Sequence, residues 1–371
     1  KAGEKGVYWQ TRADDLVVKA MIGLLERNPE VPKEAIDDVA IAAATQIGDQ
    51  GMQIGRSASI LAGLPNTVPG YSIDRWCAGA MTSVTTAGSA IGVGAYDIAL
   101  AGGVEHMGHH PMGEGMDPNP RYLAEKLVDP SAMNMGNTAE RLHDRFPQLT
   151  KERADAFAVA SQQKAARAYE AGKIQKDLIA VSAASSEGWK LVDRDELLRP
   201  DSNMEAMQGL KTPFRPHGKV TAGNASPLTD GATMSLIAGA DAVKKYNLKP
   251  KMKMVAFAFA GVEPEVMGYG PVPATLKALE KANLKIEDIG LFEINEAFAS
   301  VALRLQSELN IPDEKLNPNG GAIAMGHPLG ATGAIILGTL VDELERTGGR
   351  YGLATLCIGG GMGIATIVER I

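Results

Sequence analysis

The stretch that decides the fold spans residues 320–334 and reads GGAIAMGHPLGATGA. It places one histidine, His327, in a glycine-rich turn immediately before a helix that we predict over residues 329–344. Backbone rather than side-chain packing positions a histidine in such a turn, and an ordinary imidazole, with a pKa of about 6.5, suits proton transfer. A loop histidine that only caps the helix is the alternative interpretation.

Residues 357–363 form a second glycine-rich turn, CIGGGMG, which follows a predicted strand that ends in Cys357. Glycines let another group approach the backbone closely and leave N–H groups free to act as an oxyanion hole. A dinucleotide-binding loop is the competing interpretation, but that fingerprint opens a helix after its strand. Residues 364–369 have the pattern of another strand, which favours the oxyanion hole.

The segment Asn295-Glu296-Ala297-Phe298 stands where a predicted strand over residues 289–294 ends and a helix begins. Asparagine at such a position is often only a cap. Beside a cysteine and a histidine, the amide of Asn295 has a second use, because it can orient a water molecule and donate hydrogen bonds to a developing oxyanion.

The other cysteine, Cys77, follows an extended segment and begins a helix of small residues. A lone cysteine is usually a small buried hydrophobe. At a helix start, however, the positive end of the helix and its free N–H groups stabilise a thiolate and lower the pKa of the thiol. We therefore expect Cys77 to be a nucleophile with a lowered pKa.

Helix and strand signals alternate in both terminal parts of the chain. Near the start, a helix is followed by a strand over residues 39–43, a small-residue helix to about residue 94, and a strand over residues 98–101 that we expect to end at Gly102-Gly103. The far end repeats this order, which indicates an internal duplication with halves of about a hundred residues each. The alternation predicts layered α/β packing.

The middle of the chain differs from both ends. Residues 105–135 are rich in Met, Pro, Gly, His and Asn and lack periodicity, as in a long functional loop. An amphipathic helix is predicted over residues 151–171, and polar stretches continue to Lys219. We interpret the region as an excursion between the halves that covers an active site.

Composition excludes several classes of function. The net charge is −7 without a long basic run, which disfavours non-specific binding to nucleic acid. No stretch approaches the roughly 18 apolar residues of a membrane span, and residues 1–10 lack the apolar core of a signal peptide. Two cysteines in 371 residues favour a reduced, cytoplasmic setting over a disulfide scaffold.

In their combination and order, the motifs at 295–298, 320–334 and 357–363 resemble the C-terminal motifs of the thiolase family. The resemblance covers nearly all of the chain. Residues 135–140 and 221–226 are similar to the segments that line the family's coenzyme A site. Residues 105–109 and 267–273 look more like its degradative branch, which serves fatty-acid oxidation.

The resemblance implies an α/β protein with the thiolase fold, in which a loop domain is inserted between two duplicated, layered α/β/α halves. We place the N-terminal half at residues 1–104, the loop domain at 105–219, a return to the N-terminal half at 220–250, and the C-terminal half at 251–371. The family's first strand is absent before Lys1, which suggests that residues are missing there.

The resemblance also implies catalytic roles. Cys77 would be the acylated nucleophile, His327 the base that activates it and later the coenzyme A thiol, and Cys357 the group that exchanges a proton at the α-carbon of acetyl-CoA. Asn295, through water, would hold one thioester oxygen together with His327. The backbone N–H groups of Cys77 and Gly359 would hold the other oxygen.

Ser226, Met135 and Phe298 would contact the pantetheine and acyl region.

Two positions depart from the family pattern. Ala78-Gly79-Ala80 follows the nucleophile where a serine or threonine is usual, and Asn134 stands where many relatives have histidine. Neither departure removes a catalytic group.

The implied activity is CoA-dependent cleavage of 3-ketoacyl-CoA in fatty acid β-oxidation, with biosynthetic acetoacetyl-CoA formation as the alternative. Coenzyme A serves as a substrate, and no tightly bound cofactor or metal is expected. Expected partners are a second copy of the chain, in a homodimer or dimer of dimers, and a multifunctional β-oxidation α subunit. Neither a nucleic acid nor a membrane span is expected.

Three other classes of protein are alternatives to a thiolase. A decarboxylating ketoacyl synthase has a similar fold but uses one cysteine with two histidines, whereas the C-terminal half contains only His327 and carries Cys357 in the other acid–base place. A non-catalytic scaffold or lipid carrier could lose these groups without penalty. A hydrolase would have to admit water where this site should admit coenzyme A.

Overall fold

A computed structural model describes residues 1–185 and 188–371 of the chain. Its strands are β1 Asp38–Ala42, β2 Tyr71–Ile73, β3 Ile98–His106, β4 Val181–Ser185, β5 Gly188–Val192, β6 Asp230–Ala238, β7 Met252–Gly261, β8 Ile289–Ile294, β9 Tyr351–Ile358 and β10 Met362–Arg370. Its helices are α1 Ala13–Glu26, α2 Ile54–Leu61, α3 Gly79–Gly92, α4 Arg121–Ala124, α5 Met135–Arg145, α6 Lys151–Glu170, α7 Met204–Gln208, α8 Ala240–Lys245, α9 Pro271–Ala282, α10 Ala299–Leu309, α11 Ala322–Met325 and α12 Leu329–Thr347.

In this described part of the chain the long strands form two four-stranded sheets with related topologies. The first has the order β2-β1-β3-β6 and the second β8-β9-β10-β7. β1 and β3 are parallel and β6 is antiparallel to β3, just as β8 and β9 are parallel and β10 is antiparallel to β9. A parallel bridge between Phe292 and Leu316 corresponds to the pair formed by β1 and β2. The predicted duplication is therefore confirmed.

The two sheets enclose a central layer made of α3 and α12. One apolar cluster joins Met81 and Val84 of α3 to Leu337 and Leu340 of α12, together with residues from both sheets. Separate clusters pack α1 and α2 on the outer side of the first sheet, and α9 and α10 on the outer side of the second. The predicted layered α/β fold is confirmed.

Glycines set the distance between the two central helices. A methyl group added at Gly333 of α12 would stand 2.6 Å from Cβ of Met81 in α3. One added at Gly79 would stand 3.2 Å from the backbone oxygen of Gly330. Because any side chain there would have to push the helices apart, these glycines fix where the start of α3 lies relative to the start of α12.

One predicted boundary is wrong. The third strand does not end at Gly102-Gly103, since β3 continues to His106 and pairs with β6 along its whole length. The glycines lie inside the strand because the backbone of Gly330 passes directly over Gly103, where a side chain would collide with it. The strand ends instead in polar residues that reach the site described below.

The middle of the chain contributes helices α5, α6 and α7 and the two-stranded sheet of β4 and β5. Residues 111–127 are exposed throughout. An apolar cluster joins α5 and α6 to α10 and to the end of β9, so this region packs on the second half. Its predicted limits stay a prediction. No helix within the described ranges has the length and apolar character that crossing a membrane requires.

Glu293 of β8 is a buried carboxyl group without a matching partner. Its Oε1 has no hydrogen-bond partner in the described part of the chain. Burial raises its pKa well above the ordinary value, and the nearby carboxylates of Glu296 and Glu343 add to the rise, while Lys164 opposes it. In contrast, Glu343 has a lowered pKa because Arg346 and Asn319 donate hydrogen bonds that outweigh its burial.

These opposite shifts predict opposite effects of removing the charge. A raised folded-state pKa costs stability as pH rises above the ordinary value of 4.5, so Glu293→Gln should stabilise the protein at pH 8 by about 1 kcal/mol and change little near pH 4. Glu343→Gln should destabilise it at pH 8. Urea unfolding at both pH values measures the difference, and a destabilised Glu293→Gln at pH 8 would contradict the assignment.

Candidate active site

Cys77 lies at a sharp turn that leads into α3. The preceding residue, Trp76, has φ of +45°, which is rare for a bulky side chain. Its backbone N–H donates to the carboxylate of Asp74 at 2.9 Å. One 3-10 turn, Trp76–Ala78, then joins α3, and the side chain of Cys77 remains partly exposed. The predicted position of Cys77 at a helix start is confirmed.

The electrostatic state of Cys77 differs from the expectation. Burial of the sulfur raises the pKa of the thiol to about 11. The backbone N–H groups of Gly359 and of Cys77 itself act in the opposite direction, while the carboxylate of Glu105 adds to the rise. The expected lowering of the pKa by the helix is wrong, because desolvation of the thiolate outweighs the backbone dipoles. A base is required to ionise this thiol.

His327 supplies an imidazole that is held at three points. Its backbone N–H donates to Oγ1 of Thr229 at 3.0 Å. In the ring, Nδ1 lies 2.6 Å from Oγ1 of Thr332, and Nε2 lies 3.3 Å from Nδ2 of Asn295. Burial lowers the pKa of His327 to about 4, so the expected ordinary value is wrong and the ring is neutral at pH 7. A neutral imidazole can accept a proton.

The second thiol, Cys357, lies in β9 one residue before the strand ends. Burial raises its pKa, and the proximity of Cys77 raises it further. The two sulfurs are thus close enough to interact electrostatically, although 280 positions separate them in the numbering. The structure thus brings the two cysteines and Gly359 together. It also places Asn295, which contacts His327, beside the strand that carries Cys357, because the N–H of Asn295 donates to the oxygen of Thr355 at 3.0 Å.

Asn295 and Gly359 present hydrogen-bonding groups on two sides. Asn295 is buried, and its Oδ1 has no partner among the described residues, so it can bind a water molecule. The N–H of Gly359 hydrogen-bonds the sulfur of Cys77. A methyl group at Gly359 would stand 2.9 Å from the indole of Trp76 and 3.4 Å from the sulfur of Met135. Glycine is therefore required in this turn.

The predicted substrate-contacting residues are Met135, Phe298 and Ser226. Met135 and Phe298 pack in the apolar cluster that contains Cys357. The segment that carries Ser226 pairs with the chain before α10, because the N–H of Ser226 donates to the oxygen of Ala297 at 2.9 Å. These three residues therefore lie in or next to the apolar cluster that contains Cys357. Their contacts with substrate stay a prediction.

Asn134, which replaces the usual histidine, has a structural role. Its side-chain oxygen accepts hydrogen bonds from the N–H groups of Gly136 and Asn137, at 3.0 and 3.3 Å. It is therefore the N-cap of α5, the helix that begins with Met135. The substitution keeps Met135 in place.

Sequence reasoning missed three residues that support the site. Thr229 and Thr332 hold His327, and no signal in a single sequence distinguishes them from other threonines. Glu105 accepts hydrogen bonds from the N–H groups of Ala44 and Gly330, at 2.8 and 2.9 Å, and so ties the start of α12 to the first sheet. The available signal was an acidic residue shortly after a predicted apolar strand.

The densest group of histidines lies outside this site. His109 and His110 share the carboxylate of Asp49, at 3.1 and 2.7 Å, and His106 stacks on His109. His106 and His109 also bond backbone oxygens of the N-terminal segment. No three His, Cys, Asp or Glu side chains in residues 1–185 and 188–371 are grouped to hold a metal ion.

The packing around Gly359 gives a testable prediction. Gly359→Ala should destabilise the protein by about 1–3 kcal/mol, because the methyl group overlaps the ring of Trp76. Gly92→Ala is the matched control, since nothing lies within 4 Å of the added methyl group in α3. Thermal unfolding measures both. Equal stability of the two variants would contradict the prediction, because it would show that the ring of Trp76 can move aside without loss of stability.

Comparison with known proteins agrees with this geometry. The family described as "Thiolase, N-terminal domain" matches residues 1–241, and "Thiolase, C-terminal domain" matches residues 248–370. The 3-ketoacyl-CoA thiolase of Idiomarina loihiensis is 43% identical over 99% of this chain and 96% of its own length. The beta-ketoadipyl-CoA thiolase of Pseudomonas knackmussii is 42% identical over 97% of this chain and 94% of its own.

Solved structures show the same relationship. Human mitochondrial 3-ketoacyl-CoA thiolase has a TM-score of 0.91 at 34% identity and covers 100% of this chain and 96% of its own. The acetyl-CoA acetyltransferase of Bacillus anthracis has a TM-score of 0.89 at 35% identity, with the same coverage. With both family domains and nearly full-length relatives, the chain belongs to the thiolase family of acyltransferases.

Proposed function

We propose that the protein is a 3-ketoacyl-CoA thiolase, which uses coenzyme A to cleave a 3-ketoacyl-CoA into acetyl-CoA and a shortened acyl-CoA. The observation that carries the proposal is a pair of neighbouring thiols, Cys77 partly exposed and Cys357 buried, in a site that also has a neutral imidazole held by Asn295. Burial raises the pKa of both thiols and lowers that of His327, so every reactive group starts neutral. Protons then move between these groups only when a substrate arrives.

The first half-reaction begins with His327, whose Nε2 takes the proton of Cys77. The sulfur attacks the 3-keto carbon, and the bond between C2 and C3 breaks with its electron pair passing to the acetyl-CoA enolate. Cys357 donates its proton to C2, which releases acetyl-CoA. The imidazolium proton then passes to the Cys357 sulfur. The site is left neutral with an acyl group on Cys77.

The second half-reaction transfers that acyl group to coenzyme A. His327 takes the proton of the incoming thiol, and the thiolate attacks the acyl carbonyl. Cys77 leaves as a thiolate and recovers its proton from His327. No net proton or electron is required, so coenzyme A enters only as a substrate and the chemistry uses no other cofactor.

Two sets of donors suit the two oxyanions. A water molecule on Asn295, with His327, would hold the enolate oxygen of acetyl-CoA, because Oδ1 of Asn295 is buried without a partner in the described chain. The N–H groups of Cys77 and Gly359 converge on the Cys77 sulfur, where they would hold the oxygen of the acyl-enzyme. Each such donor is typically worth about 3 kcal/mol of barrier.

Ser226, Met135 and Phe298 are proposed to contact the pantetheine and acyl groups. Met135 approaches the oxyanion turn through its sulfur, and Phe298 packs in the cluster that contains Cys357. We further propose that the enzyme acts in the cytoplasm as a homodimer or dimer of dimers. Both cysteines are free, which fits a reducing compartment.

The alternative reaction is biosynthetic formation of acetoacetyl-CoA. One structural relative at 35% identity is an acetyl-CoA acetyltransferase, whereas the sequence relatives at 42–43% include a 3-ketoacyl-CoA thiolase and a beta-ketoadipyl-CoA thiolase. CoA-dependent cleavage rates on acetoacetyl-CoA, on longer 3-ketoacyl-CoA thioesters and on beta-ketoadipyl-CoA distinguish these substrates. Cleavage confined to acetoacetyl-CoA would favour the biosynthetic alternative.

Cys77→Ser should lower the rate of 3-ketoacyl-CoA cleavage by at least about a thousandfold, because a serine hydroxyl is far harder to ionise in a buried site. Folding should be unchanged. The loss of 3-ketoacyl-CoA is followed by absorbance, and mass spectrometry should detect an acyl group on wild-type Cys77. Turnover at the wild-type rate in the variant would refute the nucleophile.

Cys357→Ser should separate the two thiols' roles. The variant should still acquire an acyl group on Cys77 from an acyl-CoA, yet lose exchange of the α-proton of acetyl-CoA with solvent. The loss of deuterium from labelled acetyl-CoA measures this exchange by mass spectrometry. Unchanged wash-out of deuterium would remove Cys357 from the acid–base role.

A further inference from the structure

We propose that Thr332 is a positioning residue that fixes the tautomer of His327. Its hydroxyl accepts a hydrogen bond from the N–H of Nδ1 and thereby keeps Nε2 unprotonated, as the base that takes the proton of Cys77 must be. The inference rests on the proposed acyl-transfer function and extends it by a residue outside the reacting groups.

The contact is short and enclosed. Nδ1 of His327 lies 2.6 Å from Oγ1 of Thr332, and the two side chains are 5% and 1% exposed. Water therefore cannot replace the hydroxyl as a partner. A buried ring nitrogen that lost this contact would be left without a hydrogen bond, which typically costs about 1–3 kcal/mol.

The first turn of α12 holds the hydroxyl in place. The N–H groups of Ala331 and Thr332 donate to the oxygen of Pro328, at 2.7 and 3.1 Å. The next residue, Gly333, packs directly on Met81 of α3. Thr332 thus sits on a rigid helical turn that is locked against the helix carrying Cys77, which is what a positioning group requires.

The protonation pattern follows from the other partner of the ring. Nδ2 of Asn295 can only donate, and it lies 3.3 Å from Nε2, so Nε2 is the acceptor. The neutral ring then carries its single proton on Nδ1, which donates to Thr332. In this tautomer the nitrogen that faces Asn295 is the basic one.

A hydroxyl suits this site better than a carboxylate would. In a triad with a carboxylate, the third group orients the imidazole and also stabilises the imidazolium. Burial keeps the pKa of His327 low, and a neutral partner preserves that low value. His327 must take a proton and return it in each half-reaction, so an orienting group without charge keeps both transfers easy.

Three variants isolate the hydroxyl. Thr332→Val removes it at nearly constant shape, and Thr332→Ser retains it without the methyl group. Thr366→Val is the matched control, because Oγ1 of buried Thr366 has no partner in the described chain. Thermal unfolding of each variant establishes that it is folded.

The main readout is the rate at which iodoacetamide alkylates Cys77, since it needs no acyl substrate. Thr332→Val should slow alkylation at pH 7 by roughly 10- to 100-fold, lower kcat similarly and leave KM within about twofold. The pH at which alkylation is half-maximal should rise. The alkylation rate of Thr332→Ser should remain within a few fold of the wild-type rate, and that of Thr366→Val should equal the wild-type rate.

The tautomer can also be observed directly in the wild-type protein, so the inference does not depend on whether Thr332→Val folds. Nitrogen chemical shifts of ¹⁵N-labelled histidine, assigned by loss of the signals in His327→Gln, should show the proton on Nδ1. Each of three results would overturn the inference: a proton on Nε2, alkylation of Thr332→Val at the wild-type rate, or alkylation that Thr332→Ser slows as much as Thr332→Val does.

These outcomes are separable from the proposed function. If Cys77 of Thr332→Val is alkylated at the wild-type rate while Cys77→Ser still abolishes cleavage, the positioning role fails and the thiolase activity stands. If wild-type protein cleaves no 3-ketoacyl-CoA yet Thr332→Val slows alkylation, the activity fails and the positioning role stands.

Discussion

The close packing of α3 against α12 is the constraint on which the site depends. Each helix begins where reactive groups lie, α3 just after Cys77 and α12 just after His327. Gly333 brings the helices to a separation that admits no side chain, and Glu105 ties the start of α12 to the first sheet. Since both helices lie between the sheets, the proposed nucleophile and its proposed base are positioned by the most buried layer of the protein rather than by a mobile loop.

Burial of the site has an electrostatic consequence. Desolvation raises the pKa of both thiols and lowers that of the imidazole, so the resting site contains no ion pair. A permanent thiolate would be more nucleophilic, but it would also be exposed to oxidation and alkylation between turnovers. A neutral site forms its thiolate only when the base removes the proton, and it keeps an acid, Cys357, available to protonate carbon.

The sequence predicted the layered α/β fold and the duplication, and it singled out the candidate site residues, because each leaves a local pattern: short apolar strands alternating with helices, glycines around His327, a cysteine at a helix start. It did not predict that β3 crosses Gly102-Gly103, since Gly102 packs against the backbone of Thr233 and Gly103 against that of Gly330, both more than a hundred residues away. The pKa values that the sequence predicted for Cys77 and His327 were wrong for the same reason, because they depend on contacts that are distant along the chain. Position at a helix start is local and readable, whereas the burial that overrides it comes from both halves of the chain at once.

The position of Thr332 illustrates how the two duplicated halves contribute different groups to the site. The first half contributes the proposed nucleophile at the start of α3, and the second contributes the proposed base, the proposed acid and the groups that hold them. An orienting group must not move relative to its base, so it is best placed on the helix that directly follows the base, as Thr332 is on α12, five positions after His327. The nucleophile has the opposite requirement, because it must approach the base from another element and be free to carry an acyl group. The interface between the two central helices satisfies both requirements.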